Sequence, residues 1–352
     1  MAQTYTSLAG LLDHGFDTVI DVRSPAEFAE DHVPGAINLP VLNNEERARV
    51  GTIYVQQSAF LGRKVGAALV FRNAANHVET QLMDKDGSWR PLVYCWRGGQ
   101  RSGAFAWMLG QVGWRSDMID GGYRSFRRLV NKALYEDTLP HRLILLDGYT
   151  GTAKTALLHL LAARGVQMLD LEGLAEHRGS LLGAMATPQP SQKQFETRIA
   201  MALSRLSPDR PVLVEAESSK VGNRVVPPSL WSAMKVAPRI EVTAPITARA
   251  AYLVQAYDDI LSDGPRLRQK LSLLRRNRGN AVVDGWLELI TADDRPGLTT
   301  ALMQQHYDPA YDKSRKAHDP QTIARIEAVG LDAPGLNGVA GQIESLLSEA
   351  AQ

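Results

Sequence analysis

Residues 142–155 read R-L-I-L-L-D-G-Y-T-G-T-A-K-T: an apolar run ending in an aspartate, a glycine-containing loop, then a lysine and a threonine heading a helical pattern. A buried strand that turns straight into an apolar-faced helix commits this part of the chain to an α/β architecture with a mostly parallel sheet. Gly148, Gly151, Lys154 and Thr155 fit the G-x-x-x-x-[G]-K-[ST] phosphate loop in the context that gives that pattern meaning. Such a loop holds phosphate oxygens on backbone N–H groups and a helix N-terminus, with the lysine on a terminal phosphate and the hydroxyl on Mg²⁺. Gly148, Tyr149, Thr150, Gly151, Thr152, Ala153, Lys154 and Thr155 are therefore expected to cradle a diphosphate, Thr155 also serving as the Mg²⁺ ligand. Ala153 stands where glycine is usual, at a cost of about 1 kcal/mol if the position needs positive φ. A glycine turn with an exposed lysine is the plainer alternative, and the loop does not say which phosphate it holds.

The elements around this loop alternate. Strands are expected at 166–171, 211–215 and 239–242, the helix after the loop stops at Gly165, and from Thr247 onward the pattern becomes helical, with a terminal helix over 339–347. The strand at 212–215 ends in Glu215 and Glu217, where an acid that orders Mg²⁺ is expected; a surface pair is the bland reading of Glu215. Upstream, 17–23 is a buried strand, 25–30 a helix start, 33–39 a turn into a strand, and 116–120 another strand before Gly121-Gly122. These divide the chain into a small α/β domain at 1–128, a linking helix and turn at 129–140, and a phosphate-loop domain with a helical extension at 141–352.

Cys95 is the chain's single cysteine. It ends the apolar run P-L-V-Y and opens W-R-G-G-Q-R-S, where Gly98 and Gly99 let the backbone curl, Arg97 and Arg101 bring positive charge, and a helical pattern follows. A thiolate is the reactive form of cysteine, and its pKa falls at a helix N-terminus beside arginines. Cys95, Arg97 and Arg101 are thus candidate catalytic residues; a buried structural cysteine is the alternative.

One cysteine in 352 residues excludes a disulfide framework and a Cys-based zinc site, and points to a reducing compartment. The first residues lack the regions of a signal peptide and no apolar stretch is long enough to span a bilayer, so a cytoplasmic protein with no membrane association is expected. Net charge is +1, but 266–278 holds Arg266, Arg268, Lys270, Arg275, Arg276 and Arg278 and no acid. That stretch is a candidate phosphate-binding helix face, or an ordinary solvated basic helix.

The stretch Asp21 to Pro40, with Cys95 to Ser102 and Gly121 to Arg127, resembles a rhodanese domain. Its union with the phosphate loop and with the motifs at Asn43 to Thr52, Asp170 to Ser180, Glu215 to Asn223 and Tyr307 to Tyr311 resembles the family of bacterial tRNA 2-selenouridine synthases over nearly the whole chain. The resemblance implies an N-terminal rhodanese-like domain joined to a C-terminal P-loop NTPase-like parallel-sheet domain. It also implies chemistry on wobble 2-thiouridine: geranylation of the base sulfur from geranyl diphosphate, then replacement of that sulfur by selenium from selenophosphate. Rhodaneses commonly place an arginine five residues after the cysteine, whereas Cys95 and Arg101 have the longer spacing of cysteine phosphatases, which suits a phosphate-sized ligand.

Under this resemblance Lys154, Thr155 with Mg²⁺ and the loop amides stabilise departing diphosphate, while Cys95, Arg97 and Arg101 bind selenophosphate or carry selenium. Arg178 is a clamp on diphosphate or tRNA, and Asp170 and Glu172 support Lys154. Asp21 and Arg23 pair to brace the cysteine loop. Arg124, Arg127 and Arg128 join the 266–278 arginines in contacting tRNA, and Trp96 either stacks on a base or packs. The rivals are a rhodanese sulfurtransferase or cysteine phosphatase fused to an NTP-dependent small-molecule kinase domain, and a non-catalytic RNA-binding or redox-sensing protein.

Overall fold

Each short buried strand followed by a helix forces a parallel pairing, and both main sheets are parallel throughout. The computed structural model of the chain describes residues 1–316 and 321–349, which fall into two compact units. The first contains β1 (Ala2–Gln3), α1 (Leu8–Leu12), β2 (Thr18–Asp21), α2 (Pro25–Glu30), β3 (Ile37–Asn38), α3 (Asn44–Gln56), α4 (Ala59–Gln81), β4 (Pro91–Tyr94), α5 (Gln100–Val112), β5 (Asp117–Ile119) and α6 (Tyr123–Asn131), which runs into a π-turn at Lys132–Glu136. The strand order is β1-β5-β4-β2-β3. Ile20, Val22, Val93, Phe105 and Leu109 fill a core between this sheet and the helices, with Leu69, Val70 and Ala74 of α4 against it.

The second unit opens with β6 (Leu143–Asp147), α7 (Lys154–Ala163), β7 (Gln167–Leu169) and α8 (Leu171–Ala175). The chain then leaves it: α9 (Gln192–Ser204) belongs to the first unit, which comprises Met1–Asp137 and Pro190–Ser204. It returns through β8 (Val212–Glu215), a small hairpin of β9 (Lys220–Val221) and β10 (Arg224–Val225), α10 (Pro228–Val236), β11 (Arg239–Thr243) and α11 (Ile246–Ala256). The helical extension holds α12 (Asp258–Leu261), α13 (Gly264–Ser272), α14 (Arg275–Arg278), α15 (Asn280–Thr291), α16 (Arg295–Leu302) and α17 (Asp308–Lys316), before β12 (Thr322–Glu327) and α18 (Ala333–Glu349).

The sheet order is β12-β11-β6-β8-β7, so β6 and its loop lie at the centre. One core packs α7 and α18 against the sheet through Leu157, Leu161, Val242, Ile326 and Ile343; a second, built on Leu267, Leu271, Trp286, Leu298 and Leu302, holds the extension together. Each such fully buried side chain contributes roughly 1.5–3 kcal/mol.

Three features depart from the sequence expectations. Residues 44–81, for which no element is expected, form the α3–α4 pair. The stretch beyond Thr247 is not wholly helical, because β12 adds an edge strand beside β11; only Ile326 of its six residues is buried, so it lacks the apolar signature of the central strands. The basic run 266–278 is broken at Leu273 and Leu274 into α13 and the one-turn α14, so its cations do not share one helix face.

Candidate active sites

In the first unit the cysteine loop is pinned from behind. Cys95 follows the fully buried end of β4 and is itself 3% exposed. The N–H groups of Tyr123 and Arg124, opening α6, donate to the carbonyls of Cys95 (2.8 Å) and Trp96 (3.2 Å). Gly122 makes this approach possible: at φ 59° it lies so close that a Cβ would stand 2.3 Å from the Cys95 carbonyl oxygen and 2.5 Å from the Gly98 nitrogen.

In front, α5 begins with Gly99 as its N-cap and no side-chain cap, leaving its terminal amides and dipole directed at the loop. The buried Ser102 hydroxyl donates to Cys95 Sγ at 3.2 Å. Burial pushes the Cys95 thiol up, but the Ser102 hydrogen bonds and the Arg101 charge outweigh it and hold the thiol below its ordinary value.

The two loop arginines differ. Arg97 is exposed at the rim, whereas Arg101 donates to Glu27 Oε2 at 3.0 Å. Glu27, the N3 residue of the α2 capping box, also faces Arg47 Nε of α3 at 3.3 Å. Burial raises its carboxyl, yet the Arg101 hydrogen bond and charge prevail and hold it at about 2. Asp21 and Arg23 pair as expected: both are buried, 2.6 Å apart, with the guanidinium 3.9 Å over the ring of Tyr123, whose N–H holds the Cys95 carbonyl, and donating to the Asp31 carbonyl. Trp96 packs on Tyr123, ring centroids 5.2 Å apart, and is half-buried.

In the second unit Ala153 has φ 59° and ψ 30°, the left-handed conformation that glycine supplies more cheaply, and it caps α7 without a side-chain bond. Gly148 and Gly151 also have positive φ, and a Cβ on Gly151 would press into Leu253 at 2.9 Å. Lys154 Nζ bridges the loop, donating to the carbonyls of Gly148 (2.8 Å) and Tyr149 (3.3 Å). The loop is stapled from outside by Arg249 of α11, which is 5% exposed. Its guanidinium donates to the Thr150 carbonyl, pairs with Asp308 of α17 at 2.6 Å and lies 5.1 Å from the Tyr149 ring. Gly148 N–H donates to the Tyr311 hydroxyl at 3.1 Å, so Asp308 and Tyr311 of the Y-D-P-A-Y motif both serve the loop.

Beside the loop lies a cavity of about 880 Å³, lined by Lys154, Thr155, Glu172, Arg178 and Glu217 and, on its apolar side, by Tyr252, Leu253 and Tyr257 among others. Thr155 Oγ1 donates to Glu172 Oε2 at 3.0 Å. Burial and the neighbouring Glu217 carboxylate push Glu172 up to about 8; burial likewise raises Glu217, and Lys154 opposes both shifts. Gly179, at φ 65°, passes directly over this pair, where a Cβ would stand 2.6 Å from Glu172 Oε1 and 2.7 Å from Glu217 Oε1. Arg178 lines the cavity while held bidentately by Asp259 at 3.0 and 3.1 Å and lying 4.9 Å from the Tyr257 ring.

The remaining carboxylates play other parts. Asp170 accepts from Gly173 N–H as the α8 cap and pairs with His159 at 2.8 Å rather than supporting Lys154. Glu215 is 1% exposed behind the cavity, where Oε2 accepts from Leu171 N–H; burial and three neighbouring carboxylates, Asp170, Glu172 and Glu217, push its carboxyl well up. For Mg²⁺, no group of three His, Cys, Asp or Glu side chains that could hold a metal occurs among the described residues. Thr155, Glu172 and Glu217 form an oxygen set suited to an ion that keeps most of its ligands from water and bound phosphate.

The expected RNA-contacting arginines scatter. Arg124 and Arg128 are exposed, but Arg127 turns inward: it pairs with Glu196 and donates to the Lys193 carbonyl and to Asn131. Arg268 donates to Thr291, Arg275 pairs with Asp284, and Arg278 donates to His306, leaving Arg266 and Arg276 as exposed cations of the run beside the half-buried Lys270.

Residues 141–277 match the AAA domain of tRNA 2-selenouridine synthase, and residues 4–129 match the rhodanese-like domain. A protein of Nitrosomonas europaea named tRNA 2-selenouridine synthase is 36% identical over 259 residues, covering 72% of this chain and 67% of its own. Proteins of the same name from Hahella chejuensis and Pseudomonas putida are 32% identical over 333 residues and 30% over 343, covering 83% and 89% of this chain and 84% and 90% of theirs.

Proposed function

The chain belongs to the tRNA 2-selenouridine synthase family, and from that premise we propose that it is a tRNA-modifying enzyme that converts wobble 2-thiouridine to 2-selenouridine by way of an S-geranyl intermediate. What carries this reading is the presence of two chemically distinct sites in one chain: a phosphate loop opening on a partly apolar cavity, and a thiol held on a helix N-terminus. The rival small-molecule kinase reading finds no support in the relatives, whose names specify tRNA.

In the first reaction the allylic carbon of geranyl diphosphate forms a bond to the base sulfur as its bond to the diphosphate oxygen breaks, and the base gives up its N3 proton to solvent. The α7 N-terminus and Lys154 stabilise the negative charge leaving with the diphosphate, fixed dipoles being most effective where charge develops. The apolar wall of Tyr252, Leu253 and Tyr257 takes the hydrocarbon and excludes water. Mg²⁺, when bound, supplies further charge neutralisation, and Thr155, Glu172 and Glu217 are the residues that would hold it.

In the second reaction the selenium of selenophosphate forms a bond to C2 as the C2–S bond breaks, releasing the geranyl thiol, and water then cleaves the Se–P bond, releasing phosphate and leaving 2-selenouridine. Arg97 and the α5 N-terminus bind the phosphate part, and Cys95 positions the selenium for attack on C2; Arg101 acts through its Glu27 pairing to fix the loop.

Nucleoside mass spectrometry of 2-thiouridine tRNA incubated with Mg²⁺, geranyl diphosphate and then selenophosphate tests both steps. Wild type is expected to yield 2-selenouridine, Cys95→Ala to stop at the geranylated base, and Lys154→Ala to make neither. Unmodified tRNA with consumption of ATP or thiosulfate would establish the small-molecule rival instead.

A further inference from the structure

The α3–α4 hairpin is unaccounted for by either site. Although thirteen residues long, α3 has no buried residue at all. It packs on α4 where two glycines let it approach: a Cβ on Gly62 would meet Tyr54 at 2.9 Å and one on Gly66 would meet Val50 at 3.2 Å. The outer surface keeps large side chains in solvent, with Tyr54 51%, Phe60 63% and Phe71 40% exposed. From Arg47 to Val78 the chain carries five cations, Arg47, Arg49, Arg63, Lys64 and Arg72, and no aspartate or glutamate. All five are exposed, and Lys64 lies 5.2 Å from the Phe60 ring.

Leu69, Val70 and Ala74 seat α4 in the core, and the start of α3 lies beside the cysteine loop. Ala26 N–H donates to Asn44 at 3.0 Å, and Glu27 Oε2 is shared by Arg47 of α3 and Arg101 of α5, six residues after Cys95. From that junction α3 extends about 20 Å. Past Glu45 and Glu46 in the first turn of α3, the helical surface leading away from the thiol site therefore carries positive charge with no further acid until Glu79, interleaved with exposed aromatic rings. Cations that track a backbone and rings that stack on unpaired bases are the two components of single-stranded RNA recognition.

We propose that the outer face of the α3–α4 hairpin, through Arg49, Arg63, Lys64 and Arg72 with Tyr54 and Phe60, is the surface on which the tRNA docks to present its anticodon loop to the Cys95 site. The proposal rests on tRNA being the substrate. It moves RNA binding away from the 266–278 run, where three cations are engaged by neighbouring residues.

The test is tRNA binding by the full chain across a salt series, using the triple substitution Arg49→Gln/Arg63→Gln/Lys64→Gln, which spares Arg47 and its Glu27 contact, beside Arg266→Gln/Arg276→Gln. The hairpin variant is expected to lose at least about tenfold in affinity near 100 mM salt and to flatten the log Kd against log salt slope by about two to three. Its melting temperature should stay that of wild type, since the replaced side chains are exposed. Wild-type affinity and slope in the hairpin variant, or a loss confined to the 266/276 variant, overturns the proposal and leaves the hairpin to a protein partner. Tight tRNA binding by wild type without any nucleoside product removes the selenation reading while the hairpin assignment stands; a wild-type chain that does not bind tRNA overturns both.

Discussion

Among the groups that favour the Cys95 thiolate, the Ser102 hydroxyl comes first. The sulfur is almost wholly buried, which alone favours the neutral thiol, and Ser102 at 3.2 Å is the principal group opposing that effect. Ser102→Ala should therefore move the pH profile of Cys95 alkylation to higher pH and slow alkylation at pH 7 severalfold. The sign follows from the lowered folded-state thiol: removing a donor to the thiolate raises it, so less thiolate is present at any pH below the new value. An unchanged profile would show that the helix terminus and Arg101 suffice. The strand-to-loop settings of Cys95 and Lys154 and the Asp21–Arg23 pair were readable from sequence because each is made by neighbours a few residues away. Glu27 and Arg249 were not, since their partners lie 74 and 99 residues distant and a lone arginine amid T-A-R-A-A-Y carries no local signal. Arg127 misled for the same reason: a basic residue next to two exposed ones gives no hint of Glu196, 69 residues on.

Elements meet at glycines, and Gly122 is where the start of α6 lies against the cysteine loop. Gly122→Ala would drive a Cβ to 2.3 Å from the Cys95 carbonyl, and backbone atoms cannot yield as a flexible side chain can. It should cost about 2–3 kcal/mol in urea unfolding and lower Cys95 alkylation more than its effect on stability explains. Gly113→Ala, at positive φ with nothing near its would-be Cβ, should cost about 1 kcal/mol and leave the thiol alone. The central strands were legible because four or five buried residues in succession leave little else for them to be. The α3–α4 pair and β12 were not, since α3 buries nothing and β12 buries one residue in six, and periodicity registers only what a core imposes.

At the scale of the molecule, α9 is the element that no local pattern could place. It lies in sequence between β7 and β8, yet Thr197 and Tyr123 both donate to Asp31, Glu196 receives Arg127 and Tyr135, and Lys193 reaches Glu30 at 2.7 Å. Glu196→Ala leaves Arg127 only its longer contact with Asp31 at 3.8 Å and should destabilise the first unit by about 3 kcal/mol in urea unfolding. A fragment of residues 1–137 lacks α9 and should melt well below a chain that retains it. Equal melting temperatures would show that α9 merely rests on a finished domain. The chain passes between the units three times, after residues 137, 189 and 204. Genes that acquire a domain by end-to-end fusion gain one junction and can lose it at one breakpoint. Here a breakpoint anywhere within codons 138–189 would hand on an N-terminal half stripped of the helix that covers Asp31.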